Sequence, residues 1–264
     1  WTDYTTRAGR LEQSLEESSF DAWIRLYKPN EWSPNSSVSY YEKGALVAWM
    51  MEARIRLASK GKCGLDDLFR LLWKQIGDGP LTDEDLRGAY RTLSGQDPAP
   101  FWNAWISGVQ ELDSQVIREA FGLRFEFKAP WEQLHRADDI EGVTRAKVYT
   151  GITFGAGTAI IQNVFPGSPA ALAGLSYGME VLAVNGWRTP SGHEALNRFS
   201  DLPLGSRIVV LATHLGRVST YQLITQEHPH RSTLIQADPG ASAAQRAAFK
   251  AWTGLAFPAR RIQR

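Results

Sequence analysis

The sequence predicts a multidomain chain of α and β structure: a helical bundle, then a small β-sandwich or barrel, then a C-terminal helix. Three observations carry that prediction. Apolar residues recur at helical spacing through most of residues 1–128. The period shortens to two after Phe121. The stretch Pro166–Gly186, PGSPAALAGLSYGMEVLAVNG, spells turn, short helix, turn, strand and tight hairpin turn. The expected units are a helical domain at 1–128, a linker at 129–144, a β domain at 145–228 and a tail at 229–264 whose helix packs back on the helical domain.

Leu11–Tyr27 carries Leu11, Leu15, Phe20, Trp23, Ile24 and Tyr27, interrupted by Glu16–Ser19, and predicts two helical pieces. Pro29 and Pro34 bound a loop. Tyr41–Ser59 is a long helix with Ala45, Ala48, Trp49 and Ile55 at helical spacing, closed by Gly61 and Gly64. Leu65–Ile76 follows with Leu65, Leu68, Phe69, Leu72 and Ile76 on one face. Thr82-Asp83-Glu84-Asp85 caps a helix running to about Leu93, and Phe101–Ser107 is another. Leu123, Phe125 and Phe127 alternate with charged residues and predict a strand. Ser168 is an N-cap with Pro169 at the first helical position, and Gly174 ends the Ala170–Ala173 helix. Glu180–Val184 is a strand, and Asn185-Gly186 supplies the positive φ angles of a two-residue hairpin. Ile208–Thr213 and Val218–Ile224 form a hairpin around Leu215-Gly216. In the Ala-rich tail, Phe249 and Trp252 share one helical face.

The 264 residues suffice for about two domains. Lys+Arg 29 against Asp+Glu 28 leaves a net charge of +1, which gives no footprint for nucleic acid. No apolar run approaches the roughly 20 residues of a membrane-spanning helix. The single cysteine, Cys63, has no partner for an internal disulfide and no clustered metal ligand. Ten Trp and eleven Phe predict well-filled cores. The chain begins at Trp1, which leads us to expect a piece of a longer protein. Gly155-Ala156-Gly157 lies between strands, not between a strand and a helix, and is no dinucleotide loop. No Gly-x-Ser-x-Gly elbow is present.

The order of the Pro166–Gly186 signals resembles a PDZ domain of the bacterial, protease-associated kind, although the acidic residue of its second turn is displaced to Gly178-Met179-Glu180. The resemblance implies binding of a peptide or protein C-terminus by strand addition. Tyr149–Phe154 then stands as the carboxylate loop. Thr150, Gly151 and Ile152 would offer N–H groups, Ile152, Thr153 and Phe154 would pair with the peptide, and Arg145 and Lys147 would add positive charge. Leu196 and Phe199, in a helix within 192–202, would form the second wall, or else belong simply to the core.

Ser39-Tyr40-Tyr41-Glu42-Lys43-Gly44, at a helix start, resembles the tyrosine segment of the gluzincin aminopeptidases. The flanking pieces Ser19–Ile24, Leu65–Leu68, Leu72-Trp73, Thr82–Asp85 and Gly95–Asp97, followed by the PDZ-like unit, make the chain similar to the C-terminal part of the glycyl aminopeptidase family. This resemblance implies that the bundle is the C-terminal part of a thermolysin-like catalytic domain. It also implies a zinc metallopeptidase acting on small N-terminal residues, with Tyr41, or Tyr40 in its stead, donating a hydrogen bond to the oxyanion. Zinc is expected in the full-length parent and not in this chain, because no His-Glu-x-x-His occurs: His193-Glu194-Ala195-Leu196-Asn197 lacks the second histidine, and His228-Pro229-His230 is a loop. The expected partner is an upstream catalytic segment of the same protein, and the surface left by its loss predicts self-association as a homo-oligomer. The alternative is a non-catalytic adaptor that binds protein C-termini.

Overall fold

A computed structural model describes residues 1–128, 148–229 and 232–258. The linker expected at 129–144 lies outside the described residues, as do Arg145, Lys147 and His230. Two separate buried clusters organise the rest, one helical and one in the β part.

The helical part is built on one long helix. Short helices at Thr2–Thr6 (α1), Leu15–Phe20 (α2) and Ser33–Ser36 (α3) precede Tyr40–Ala58 (α4). Ser14 and Glu17 start α2 with a reciprocal capping box, which satisfies two otherwise orphaned N–H groups. Along α4, Val47, Met50, Met51 and Ile55 fall at i, i+3, i+4 and i+8 and face the core. Leu65–Ile76 (α5) and Asp83–Ser94 (α6) add Leu68, Leu72, Ala89 and Tyr90. Ala99–Phe101 (α7) continues into a π turn at Trp102–Ile106, and Phe101, Trp102 and Trp105 all reach the core. Gln115–Phe121 (α8), which no sequence pattern announced, buries Ile117 and Phe121 against it.

The strand expected near Leu123 exists as Leu123–Lys128 (β1). Its partner is Ser232–Ala237 (β10), paired antiparallel from Leu123↔Ala237 to Lys128↔Ser232. The chain therefore leaves and re-enters the helical part through two neighbouring strands. After β10, the helix Ala243–Thr253 lies on the bundle, where Trp252 stacks on Phe121 and Trp49 with ring centroids 4.6 and 5.4 Å apart.

Between those two strands sits the β part. Its strands are Val148–Tyr149 (β2), Ile152–Phe154 (β3), Ile161–Val164 (β4), Glu180–Val184 (β5), Trp187–Arg188 (β6), Arg207–His214 (β7), Arg217–Ile224 (β8) and Gln226–Glu227 (β9). One sheet has the order β6-β5-β7-β8, while β3 pairs with β4 and β2 with β9. A bridge from Ile160 to Glu180 links the β3–β4 hairpin to the larger sheet. Ile161, Val181, Val184, Phe199, Ile208 and Val210 fill the space between. The barrel form of the expectation is corrected: among the described residues no barrel closes. β3 is only three residues long, and its end abuts a helix, Gly192–Ser200: a Cβ built on Gly192 would sit 2.2 Å from that of Phe154. Asn185 and Gly186 take the positive φ angles, 49° and 81°, that the hairpin turn needs.

Candidate functional site

The start of α4 is fixed from several sides. Ser39 accepts the Glu42 N–H at 3.4 Å, and Glu42 pairs with Arg7 at 3.0 Å. Lys43 is fully buried, and its Nζ donates to the Gln13 carbonyl at 3.2 Å. Burial holds its ammonium below the ordinary lysine value, partly offset by Glu111 and Glu17. A Cβ on Gly9 would lie 2.3 Å from the Ser37 backbone, so only glycine lets the 8–11 turn close on the segment leading into α4. With Lys43 turned inward, Tyr41, two residues earlier, points outward and is 61% exposed.

Tyr41 does not stand alone. Its hydroxyl is 2.8 Å from that of Tyr27, which lies 3.2 Å from that of Tyr40. The Tyr40 and Tyr41 rings are 4.1 Å apart, and Trp23 packs on Tyr27 at 5.1 Å. Hydrogen bonds from Tyr27 and then Tyr40 hold the Tyr41 phenol below its ordinary value, whereas Tyr40 is pushed above it, first by Tyr27. A phenol whose oxygen accepts hydrogen bonds becomes a stronger donor of its own proton. The cluster thus holds an exposed Tyr41 hydroxyl against Tyr27. Tyr27 was missed as a site residue: in the sequence it is one more apolar helical position, separated from Tyr41 by a loop with two prolines.

The expected groove residues come together at β3. Gly151 has φ 81°, and a Cβ there would lie 2.1 Å from that of Ser168, so glycine is required on both counts. The Thr150 carbonyl accepts from Ala170 N–H and the Gly151 carbonyl from Phe165 N–H, each at 2.9 Å. In a trans peptide the following N–H points the opposite way. The N–H groups of Gly151 and Ile152 therefore turn away from this part of the domain. Ile152 is buried and Thr153 exposed, as alternation along a strand dictates. On the helix Gly192–Ser200, Leu196 shares the face of Gly192, which touches Phe154, and is 41% exposed. Phe199 is 1% exposed and belongs to the core. Its place as a groove wall is corrected: it supports the helix from behind.

Residues 1–47 match the family model of the M61 glycyl aminopeptidases. The tyrosine-bearing segment is thus similar to glycyl aminopeptidase sequence. The wider chain is similar to an aminopeptidase N family protein from Idiomarina loihiensis, with a TM-score of 0.74 and 25% identity over 95% of this chain and 42% of that one. It thus spans about two-fifths of the length of that solved relative. A serine endoprotease from Yersinia pestis aligns at 28% identity over 31% of this chain and 29% of its own, with a TM-score of 0.28, too low to carry an argument. No curated protein matches.

The similarity to M61 peptidases raises the question of a metal site. Among the described residues no group of three or more His, Cys, Asp or Glu side chains converges to hold a metal ion. His193 is exposed on its helix, and His228 lies with its ring 5.0 Å from Tyr149. Cys63 is half-buried. The described residues therefore bring together no ligand set that fits a zinc ion. No helix among the described residues is long and apolar enough to cross a membrane.

Proposed function

We propose that this chain is the C-terminal part of a zinc aminopeptidase that removes Gly or Ala from peptide N-termini, with a PDZ-like domain that binds a peptide C-terminus. Tyr41 is its oxyanion donor. The carrying observation is the hydroxyl cluster: Tyr27 bridges the hydroxyls of Tyr40 and Tyr41 and holds an exposed Tyr41 at the head of a rigidly held helix. Such a donor contributes to catalysis when aimed where negative charge develops. The metal and its ligands belong, in this reading, to the part of the parent that this chain lacks. The PDZ-like role rests on the outward N–H groups of Gly151 and Ile152 and on the exposed Leu196. The family match favours the peptidase over the adaptor.

The test compares this chain with the full-length gene product on glycyl and alanyl chromogenic amides, with zinc measured on both. The chain alone is expected to be inactive and zinc-free. The full product is expected to turn over in a chelator-sensitive way, with Tyr41→Phe lowering kcat by about 100-fold or more and Tyr27→Phe by less. Turnover by the chain alone, or full activity in Tyr41→Phe, sinks the reading. A tyrosine absorbance titration adds a check without substrate: Tyr41→Phe removes a phenol that ionises below the usual value of about 10.

A further inference from the structure

A cleft of about 610 Å³ runs between the loop that follows Tyr27 and the β3–β4 hairpin. We propose that this cleft binds the extended chain of a peptide substrate downstream of its N-terminal residue. The inference rests on the peptidase reading above and adds to it a second peptide-contacting surface, which shares only Thr153 with the β3 edge facing the helix Gly192–Ser200.

Four observations carry it. The first is place. Pro29 lines the cleft two residues beyond Tyr27, so the cleft begins within about 7 Å of the Tyr27 backbone. A peptide whose first residue reaches the tyrosine cluster has its next residues at this opening. The second is size, since the volume falls within the ~300–1,000 Å³ typical of ligand sites. The third is lining. Asn30 and Gln162 bring amide groups suited to a peptide main chain, while Phe165 and Tyr177 bring flat apolar surface. Asn30 uses its Oδ1 to accept from the Trp32 N–H at 3.0 Å and the Ser33 hydroxyl at 3.2 Å, so its contribution to a ligand is as a donor. Glu31, exposed at the cleft, favours a cationic side chain over an acidic one.

The fourth observation is that the two walls are fastened together. Asn35 Nδ2 donates to Asn163 Oδ1 at 2.8 Å and to the Val164 carbonyl at 2.9 Å, and Asn163 Nδ2 donates back to Asn35 Oδ1 at 3.3 Å. Asn163 is buried. This clasp joins the helical part to the hairpin directly beside the cleft and gives it a fixed width. A preformed site of fixed width saves the ordering cost that a gap between mobile domains would impose on a ligand.

The test is binding, which needs no metal. The C-terminally amidated hexapeptide Gly-Ala-Ala-Lys-Ala-Ala, which lacks the free carboxylate a PDZ-like groove would capture, is titrated into this chain by calorimetry. Binding is expected, weakened at least fivefold by Tyr177→Ala and by Gln162→Ala. Glu31→Gln is expected to weaken it two- to threefold, with no effect on the same peptide carrying Ala in place of Lys. All three side chains are exposed, and unchanged melting temperatures would show that the variants fold. No binding by the wild-type chain, or binding lost in Leu196→Ala but intact in Tyr177→Ala, overturns the inference. The peptidase reading fails separately: a full-length product that binds the peptide through Tyr177 without hydrolysing it breaks that reading and leaves the cleft. One that hydrolyses it with an unchanged KM in Tyr177→Ala breaks the cleft and leaves the peptidase.

Discussion

The helical and β parts each fill a core, but they differ in what they leave outside. In the β part, exposed apolar residues such as Leu172, Leu204 and Leu215 lie on separate short connecting segments, and the Arg198 guanidinium sits 4.9 Å from the ring centroid of Trp187. The helical part exposes Phe20, Trp23, Ile24, Tyr27 and Trp32 within one short segment, joined to Tyr41 through the hydroxyl cluster. Contiguous aromatic surface of that kind marks an interaction face. The contrast teaches that the two parts differ in surface more than in core: one scatters its exposed apolar residues and the other gathers them beside the tyrosines.

The strongest test of that contrast is to collapse one core and watch the other. Phe121 is fully buried and stacked under Trp252. Phe121→Ala is expected to cost the helical part about 3–5 kcal/mol and to abolish the Trp49–Trp252 signal in near-ultraviolet circular dichroism. Amide exchange at Ile208 and Val210 should stay slow; equal acceleration there would make the two cores one cooperative unit. The converse change is Gly151→Ala. The left-handed conformation alone costs a residue with a Cβ about 1–2 kcal/mol, and the Ser168 side chain must also move. This variant should lower the melting of the β part and spare the helical one.

A pH titration probes the same division. Tyr149 is buried, and burial pushes its phenol up to about 12. The unfolded chain ionises near 10, so the folded state holds the proton more tightly. The contribution is complete below pH 10 and is lost as pH rises toward 12, on the order of 2 kcal/mol. Tyr149→Phe should remove this alkaline loss from the β part. In the helical part Tyr4 is also raised, chiefly by burial, and should produce its own loss there.

The smallest expected effect concerns the aromatic face. The chain should self-associate at high concentration, and Phe20→Ser with Trp23→Ser should shift light scattering toward monomer. A wild-type chain that stays monomeric would remove the argument that this face seeks a partner.

Much of this architecture was readable from local pattern. The long helix was expected at 41–59 and lies at 40–58, and Asn185-Gly186 turns the hairpin it announces. These features depend on residues close in sequence. What escaped depends on distant ones. Ser232–Ala237, STLIQA, lacks the apolar–charged alternation of Leu123–Lys128 and becomes a strand because that segment, over a hundred residues away, offers it an edge. Gln115–Phe121 is seven residues long, below the length at which periodicity speaks. The helix start that carries Tyr41 was legible from its motif, whereas Tyr27 meets the Tyr41 hydroxyl only when the proline-bounded loop folds back. Leu196 and Phe199 are three residues apart, and the sequence offered both as one groove wall or both as core. The helix buries Phe199 in one cluster with Ile208 and Val210 and leaves Leu196 41% exposed.

The two-stranded stem has an evolutionary and practical consequence. Lys128 and Ser232 sit opposite each other across one ladder, so everything between them hangs from a single closed gate. Removing residues 129–231 and joining the strands through a two-residue Asn-Gly turn would convert the stem into an ordinary hairpin. The bundle and its returning helix would then remain as one unit, with the Asn35–Asn163 clasp the main hydrogen-bonded tie to be surrendered. The β part is, in that sense, a cassette: a lineage could gain it, lose it or exchange it without rewriting the helices around the tyrosines.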